Sequence, residues 1–390
     1  MMHRPVYLDN AATTPLRQEV RDAMLPYLEE VFGNPSSAHR YGRAARAGVE
    51  QARRQLAAAL GADPTQVVFT SGGTEADNLA VVGAALAARA QGTPARVTVS
   101  AIEHKAVLAA AHFVTALGGD EELLPVTAHG QVDLDALDAA LARRPAVVSV
   151  MWVNNETGAI QPVDEIAGRC RAAGVRFHTD AVQAFGQLPI RFEQLGCDLL
   201  TVSAHKIGGP KGAGALVVRE PGLLEPLIRG GSQQGGVRPG TENAAGVAGF
   251  GRAAELAARE QPAHACRLAG LRARLRDALR AAVPDTHVVG DGPDSVPHIL
   301  TVCVPGADSE ALLMHLDLAG VAAGSGSACT TGTIEPSHVL AAMGIPRELA
   351  IGAVRFSLGR ETTDSEVDRV VAVFPEVVSK VRSLAAVLGR

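Results

Sequence analysis

Cys329 sits in a stretch that gives it nothing to pack against. The other eight residues of 324–332, "GSGSACTTG", are glycine, serine, threonine or alanine. Such residues suit turns and mobile backbone and cannot anchor a core. A thiol among them is placed for chemistry, as a nucleophile or a sulfur carrier once ionised. Three other stretches carry reactive groups. Lys206 in "SAHKIGGPKG" precedes a glycine-rich turn, where an amine can be held against a ligand and form a Schiff base. Asp180 ends the apolar run "VRFHTD", where burial raises a carboxyl pKa unless a cation faces it. In "SGGTEADN" two glycines and Thr74 open a helix, so free amides and the helix dipole would face an anion. Each also has a plain structural reading. Thr74 and Asp180 could cap helices, Lys206 could be a solvated loop lysine, and a rim histidine such as His104 is commonly structural.

The elements that must position these groups are legible as alternating patterns. From about residue 65 to 220, the runs "QVVFTS", "ARVTVSA", "AVVSVMWV", "VRFHTD", "DLLTVSA" and "GALVVR" read as strands between helical segments. This pattern predicts an α/β domain with a largely parallel sheet, whose ligands gather at the carboxyl ends of its strands. Five of those ends present Thr74, Glu75, His104, Asn155, Glu156, Asp180, Gln183, His205 and Lys206. From about residue 260 the pattern changes. "PHILTVCVPG" and "GAVRFSLG" read as strands and "DSEALLMHLDLAG" as a helix. A last helix is expected from Asp364, with Thr363 and Glu366 forming a capping box and Pro375 kinking or breaking it.

Composition narrows the field further. With 36 basic against 41 acidic residues and a net charge of −5, the 390-residue chain has no dominant basic surface for nucleic acid or an anionic membrane. No apolar run is long enough to span a bilayer, and the start resembles no secretory signal, so the expected address is cytoplasmic. Five cysteines without close pairs suit neither a disulfide framework nor a zinc site. Most read as small buried hydrophobes, Cys329 excepted.

Lysine, acid and anion pocket together are what pyridoxal phosphate requires: a Schiff-base amine, a partner for its ring nitrogen, and a phosphate site. The motifs that surround them run "YLDNAATTP", "FGNPSSAHRYG", "FTSGGTEADN", "EHKAV", "VNNETG", "HTDAVQ", "SAHKIGGPKG", "RPGTEN", "GSGSACT" and "RFSLGR". In that order they resemble the cysteine desulfurases of the NifS/IscS type, in the class V aminotransferase superfamily of fold-type I pyridoxal-phosphate enzymes. The resemblance implies a large domain over 16–258 with a mainly parallel seven-stranded sheet. A smaller α+β domain would comprise 1–15 and 259–390 and carry the Cys329 loop.

By the same resemblance Lys206 carries the cofactor, Asp180 holds its ring nitrogen, Gln183 contacts the ring hydroxyl, and His104 stacks on the ring and serves as acid or base. Gly73, Thr74, Ser203 and His205 would hold the phosphate, with Thr241 reaching the phosphate of a neighbouring subunit in a homodimer. Asn155 and Arg355 would hold substrate. The implied reaction takes sulfur from L-cysteine onto Cys329 as a persulfide, releases L-alanine, and passes the sulfur to an acceptor such as an iron–sulfur scaffold or a tRNA-thiolation protein. No resident metal is expected, Cys329 being at most a transient iron–sulfur ligand. The loop around 326–334 is expected to be mobile, and the short tail beyond "RFSLGR" weakens the case for scaffold docking there. A selenocysteine lyase or aminotransferase would share Lys206 and Asp180 without requiring Cys329. A non-enzymatic sulfur carrier would need only the thiol.

Overall fold

The computed structural model describes residues 5–220, 222–326 and 335–387. A two-residue strand β1 (Val6–Tyr7) comes first. Seven strands follow: β2 (Val67–Thr70), β3 (Arg96–Ser100), β4 (Asp120–Leu124), β5 (Val147–Ser149), β6 (Arg176–Asp180), β7 (Leu199–Ser203) and β8 (Gly214–Val218). They form one sheet in the order β2-β8-β7-β6-β5-β3-β4. Within it β8 is antiparallel to both β2 and β7, and the remaining pairs are parallel. Six strands therefore point one way, and their carboxyl ends share one edge. The sheet is the largely parallel α/β arrangement expected from the alternating pattern.

Helices cover both faces, which is why nearly every residue of β5 to β8 is buried rather than every second one. The helices Gly73–Ala90 and Lys105–Ala116 pack on one face with Val97, Val147, Leu199 and Leu216. Val148, Phe177, Leu200 and Val202 face the opposite core, with Val49, Leu56 and Phe250. The sequence reading missed β4. Asp120, Glu121 and Glu122 disguise it, and it pairs only with β3, so it is an edge strand whose charges are tolerated outside the core.

A second core gathers around β9 (His287–Val289), β10 (Ile299–Cys303) and β12 (Ala353–Ser357), an antiparallel sheet in the order β12-β10-β9. The short β11 (Val321–Ala322) pairs in parallel with β1, so the chain's beginning packs into this second core through Val6 and Leu8. One helix, Ala244–Ala282, serves both regions: Val247, Phe250 and Leu256 enter the first core, and Leu268, Leu275 and Leu279 the second. The last helix, Asp364–Val387, runs unbroken through Pro375, contrary to a break there. Burial of Val367, Val370, Phe374, Val377, Val378 and Val381 along one face offsets the missing backbone donor. Its capping box is present: Thr363 N–H donates to Glu366 Oε2 (2.8 Å) and Glu366 N–H to Thr363 Oγ1 (3.3 Å).

Candidate active site

The strand direction brings together the groups expected at the rim. β2 leads into the helix Gly73–Ala90, β3 to His104, β5 to Asn155, β6 ends on Asp180, and β7 leads to His205 and Lys206. Lys206 is mostly buried. Its Nζ donates to the carbonyl oxygens of Ala11 (2.5 Å) and Ala12 (2.8 Å). Burial pushes its pKa down to about 8, with Arg355 adding to the shift and Asp180 and Asp9 opposing it. A lysine so placed supplies a neutral amine far more readily than one in water.

Asp180 is 5% exposed, and its Oδ1 accepts the N–H of Val182 at 2.8 Å. Burial raises its pKa, partly offset by that bond and by His104 and Lys206. Beneath it lies a buried polar row: His178 bridges Ser149 Oγ (2.8 Å) and Thr201 Oγ1 (3.0 Å) across three strands, and Asp77 approaches its Nε2 at 3.8 Å. Burial drives the His178 pKa down to about 3 and raises that of Asp77, so both are pushed toward their uncharged forms.

His104 caps the helix Lys105–Ala116, its Nδ1 accepting the N–H of Ala106 at 3.1 Å, which leaves Nε2 to carry the proton. Desolvation lowers its pKa, opposed by Asp180 and reinforced by Lys206 and His338. Gln183 is buried and donates from Nε2 to Ala11 O (2.8 Å). His205 reaches Thr13 Oγ1 at 3.2 Å, and burial brings its pKa to about 4. A cavity of about 1240 Å³ reaches Lys206 and Gln183, and its wall includes Asn10, Thr14 and the buried His298.

An anion would find a prepared place. The helix at Gly73 has no side-chain cap among the described residues, so its first-turn amides are left for a ligand. A Cβ at Gly72 would meet nothing within 4 Å, while one at Gly73 would press Val182 at 3.1 Å. The buried Ser203 Oγ has no hydrogen-bond partner among the described residues. Orphaned hydroxyl, uncapped helix start, low-pKa lysine and buried aspartate fit pyridoxal phosphate in donor, acceptor and charge.

The second half of the site comes from the second core. Arg355, on β12 and 5% exposed, donates from Nη1 to Asn155 O and from Nη2 to Asp9 Oδ1, both at 2.8 Å. Its Nε is buried without a partner among the described residues, so one donor of the guanidinium is unused. Asp9 and the carbonyls of Ala11 and Ala12 were not assigned roles from sequence. The run "YLDNAATTP" was the signal, but backbone acceptors carry no residue signature. Thr241 is exposed and touches none of these groups in a hydrogen bond given by the structure. Cys329, and the expectation of a mobile loop over most of 326–334, lie outside the described residues. Of the described cysteines, Cys170, Cys197 and Cys303 are buried and Cys266 is exposed, all unpaired.

Comparison with known proteins agrees with this arrangement. The family described as aminotransferase class-V matches residues 6–370. The chain is 43% identical over 384 residues to a protein named cysteine desulfurase IscS from Dictyoglomus turgidum, covering 98% of this chain and 97% of that one. It is 47% identical over 384 residues to a cysteine desulfurase of Cereibacter sphaeroides, covering 97% of each. Among solved structures, a NifS-like protein superimposes with a TM-score of 0.89 at 34% identity, covering 96% of this chain and all of the other.

Proposed function

The chain belongs to the class-V aminotransferase family and is a pyridoxal-phosphate-dependent cysteine desulfurase; from that premise we propose how its own residues divide the work. Lys206 would hold the cofactor covalently, Asp180 would face its ring nitrogen, and Gln183 its ring hydroxyl. Gly73, Thr74, Ser203 and His205 would hold its phosphate. Bound there, pyridoxal phosphate supplies an electron sink for charge developed at the substrate α-carbon. Lys206, as a neutral amine, would take the α-proton of the substrate, and its pKa near 8 suits that exchange near neutral pH. His104 keeps Nε2 free for a second proton transfer while Nδ1 caps its helix. Arg355 binds the substrate carboxylate and Asn155 helps orient it.

Cys329 then acts as the sulfur acceptor. Its thiolate attacks the sulfur of cysteine, an S–S bond forms as the carbon–sulfur bond breaks, and the electron pair returns to carbon. Protonation of that carbon gives L-alanine and leaves a persulfide on Cys329. The observation that carries the reading is the coincidence of a low-pKa Lys206, a buried Asp180 and the orphaned Ser203 Oγ at neighbouring strand ends.

Transfer of the persulfide to an acceptor protein, such as an iron–sulfur scaffold, is part of the same proposal. So is a homodimer in which Thr241 completes the neighbour's phosphate site. Exposed Phe32 and Tyr41, stacked at 5.5 Å, are the kind of surface a second copy would cover. The division into a large domain, 16–258, and a small one formed by 1–15 and 259–390 also belongs to it, supported by the two cores. No described helix is long and apolar enough to cross a membrane. Unpaired cysteines among the described residues suit a reducing, cytoplasmic setting.

The test is one turnover. Protein loaded with pyridoxal phosphate and given L-cysteine should yield one L-alanine and one persulfide on Cys329 per site, detected by mass. C329S should bind L-cysteine with a normal change in cofactor absorbance yet form no persulfide. Full desulfuration by C329S would overturn the assignment and favour a lyase that releases sulfur directly.

A further inference from the structure

The two described ends of the segment bearing Cys329 meet at one side chain, that of Glu156. Ser337 Oγ donates to Glu156 Oε2. On the other side, a Cβ built on Gly326 would fall 1.8 Å from Oε2 and 2.3 Å from the carboxyl carbon of Glu156. Any side chain at 326 would have to displace the carboxylate, so the glycine and the glutamate are matched in this arrangement.

Glu156 is itself firmly held. It is 4% exposed, its N–H donates to Asn154 Oδ1 at 3.0 Å, and its carbonyl accepts from Thr301 Oγ1 at 2.5 Å. The preceding carbonyl, of Asn155, accepts from Arg355 Nη1 at 2.8 Å. Arg355 in turn pairs with Gly324 through both backbone bonds, at 3.0 and 2.7 Å. One short turn after β5 thus holds the guanidinium through its backbone, accepts Ser337 on its carboxylate and packs that carboxylate against Gly326.

We propose that Glu156 is a positioning residue, which sets the stem of the Cys329 segment relative to Arg355 and so fixes where the thiol can meet the substrate sulfur. The inference rests on the reading of Cys329 as sulfur acceptor. Its physical basis is proximity: a reacting group whose flanking residues are fixed samples a smaller volume than one whose flanks are released, and displacement by about 1 Å can cost about 10²-fold in rate. A carboxylate suits the task because it accepts the Ser337 hydroxyl, as an apolar residue could not, while remaining slim enough to lie against Gly326.

Single-turnover kinetics on enzyme loaded with pyridoxal phosphate separate this role from others. Two signals are followed after L-cysteine is added: the change in cofactor absorbance, which precedes any need for Cys329, and the appearance of the Cys329 persulfide. E156A and G326A should keep the first within about 2-fold and slow the second about 10- to 100-fold. E156Q, which still accepts from Ser337, should lie between them and the unaltered enzyme. Persulfide appearing at the unaltered rate in both E156A and G326A would overturn the proposal. So would equal slowing of both signals in both variants, because Glu156 would then be acting through Arg355 or the fold. G326A keeps the test decisive if E156A does not fold. An unaltered enzyme that makes L-alanine without persulfide on Cys329 would overturn the acceptor reading itself, before any variant is compared.

Discussion

The rim of the seven-stranded sheet and the cleft face built from the second core are assembled in different ways. At the rim, Gly73, His104, Asp180, Ser203 and Lys206 come from one stretch of chain, each at the end of a strand whose direction the sheet dictates. In the cleft, Arg355 is held by Asp9 and by the carbonyl of Asn155, partners 346 and 200 residues away. The first arrangement draws on one core, with Ala11, Ala12 and Thr13 of the chain's beginning as added partners for Lys206, Gln183 and His205. The second exists only when both cores and the chain's beginning are in place. Cofactor retention should therefore follow the rim, and substrate recognition the contacts between cores.

The strongest way to break that distinction is K206A. Loss of the amine removes both the covalent hold and the α-proton base, so kcat should fall about 10³-fold or more. The visible absorbance of bound cofactor should shift and its retention through gel filtration should drop. A K206A protein that kept a tenth of the activity would show that another group does this work. R355K is the counterpart on the other side. Lysine cannot reproduce the planar fork that reaches Asn155 O and Asp9, so KM for L-cysteine should rise about 10- to 100-fold, the equivalent of a charged hydrogen bond or two. Cofactor absorbance should stay unchanged. D9N should move KM in the same direction by less, and cofactor loss in either variant would mean the two regions are not separable.

The same contrast explains what could be read from sequence. The rim was legible because each reactive residue follows an apolar run, and the parallel pattern places all such positions on one edge. Arg355 was named only by resemblance, since nothing in "RFSLGR" indicates that its partners are Asp9 and a backbone carbonyl. Lys206 was visible, but its Ala11 and Ala12 acceptors were not, because a carbonyl belongs to every residue. β4 was hidden by its acids, and β1 is too short at two residues to show a period. The alternative of a break at Pro375 is not realised: its local preference against helix yielded to an apolar face buried along the helix. Glu156 was noted as a strand-end residue, but its link to Gly326 and Ser337 depends on chain folding back over more than 150 residues.

A smaller effect concerns charge at Lys206 in the cofactor-free protein. Its folded pKa of about 8 lies below the value near 10.4 of an unfolded chain, so between those values the unfolded state binds more protons. Stability contributed by this residue therefore rises with pH through that window, and the full penalty is felt below pH 8. K206M should be more stable than the unaltered protein at pH 7.5, by on the order of 1–3 kcal/mol, and the gap should narrow by pH 10. Urea titrations of both proteins at the two pH values measure it. A gap that does not change with pH would place the lysine amine in water, and the rim would lose its most reactive group.

The mildest expected change lies in the second core and tests whether that core acts as scaffold apart from its cleft face. T363A removes the hydroxyl that accepts the N–H of Glu366 at 3.3 Å and leaves the start of the helix Asp364–Val387 with one uncapped donor. The loss should be about 1 kcal/mol of stability. Arg274, whose guanidinium meets both Asp364 and Asp368, still ties that first turn to the long shared helix, so the core should not open. KM and cofactor absorbance should both stay within about 2-fold, since so small a loss leaves the folded population nearly complete. If T363A raised KM as R355K does, the end of this helix would be coupled to the placement of Arg355, and the cleft would extend farther into the second core than Asp9 and Asn155 alone imply.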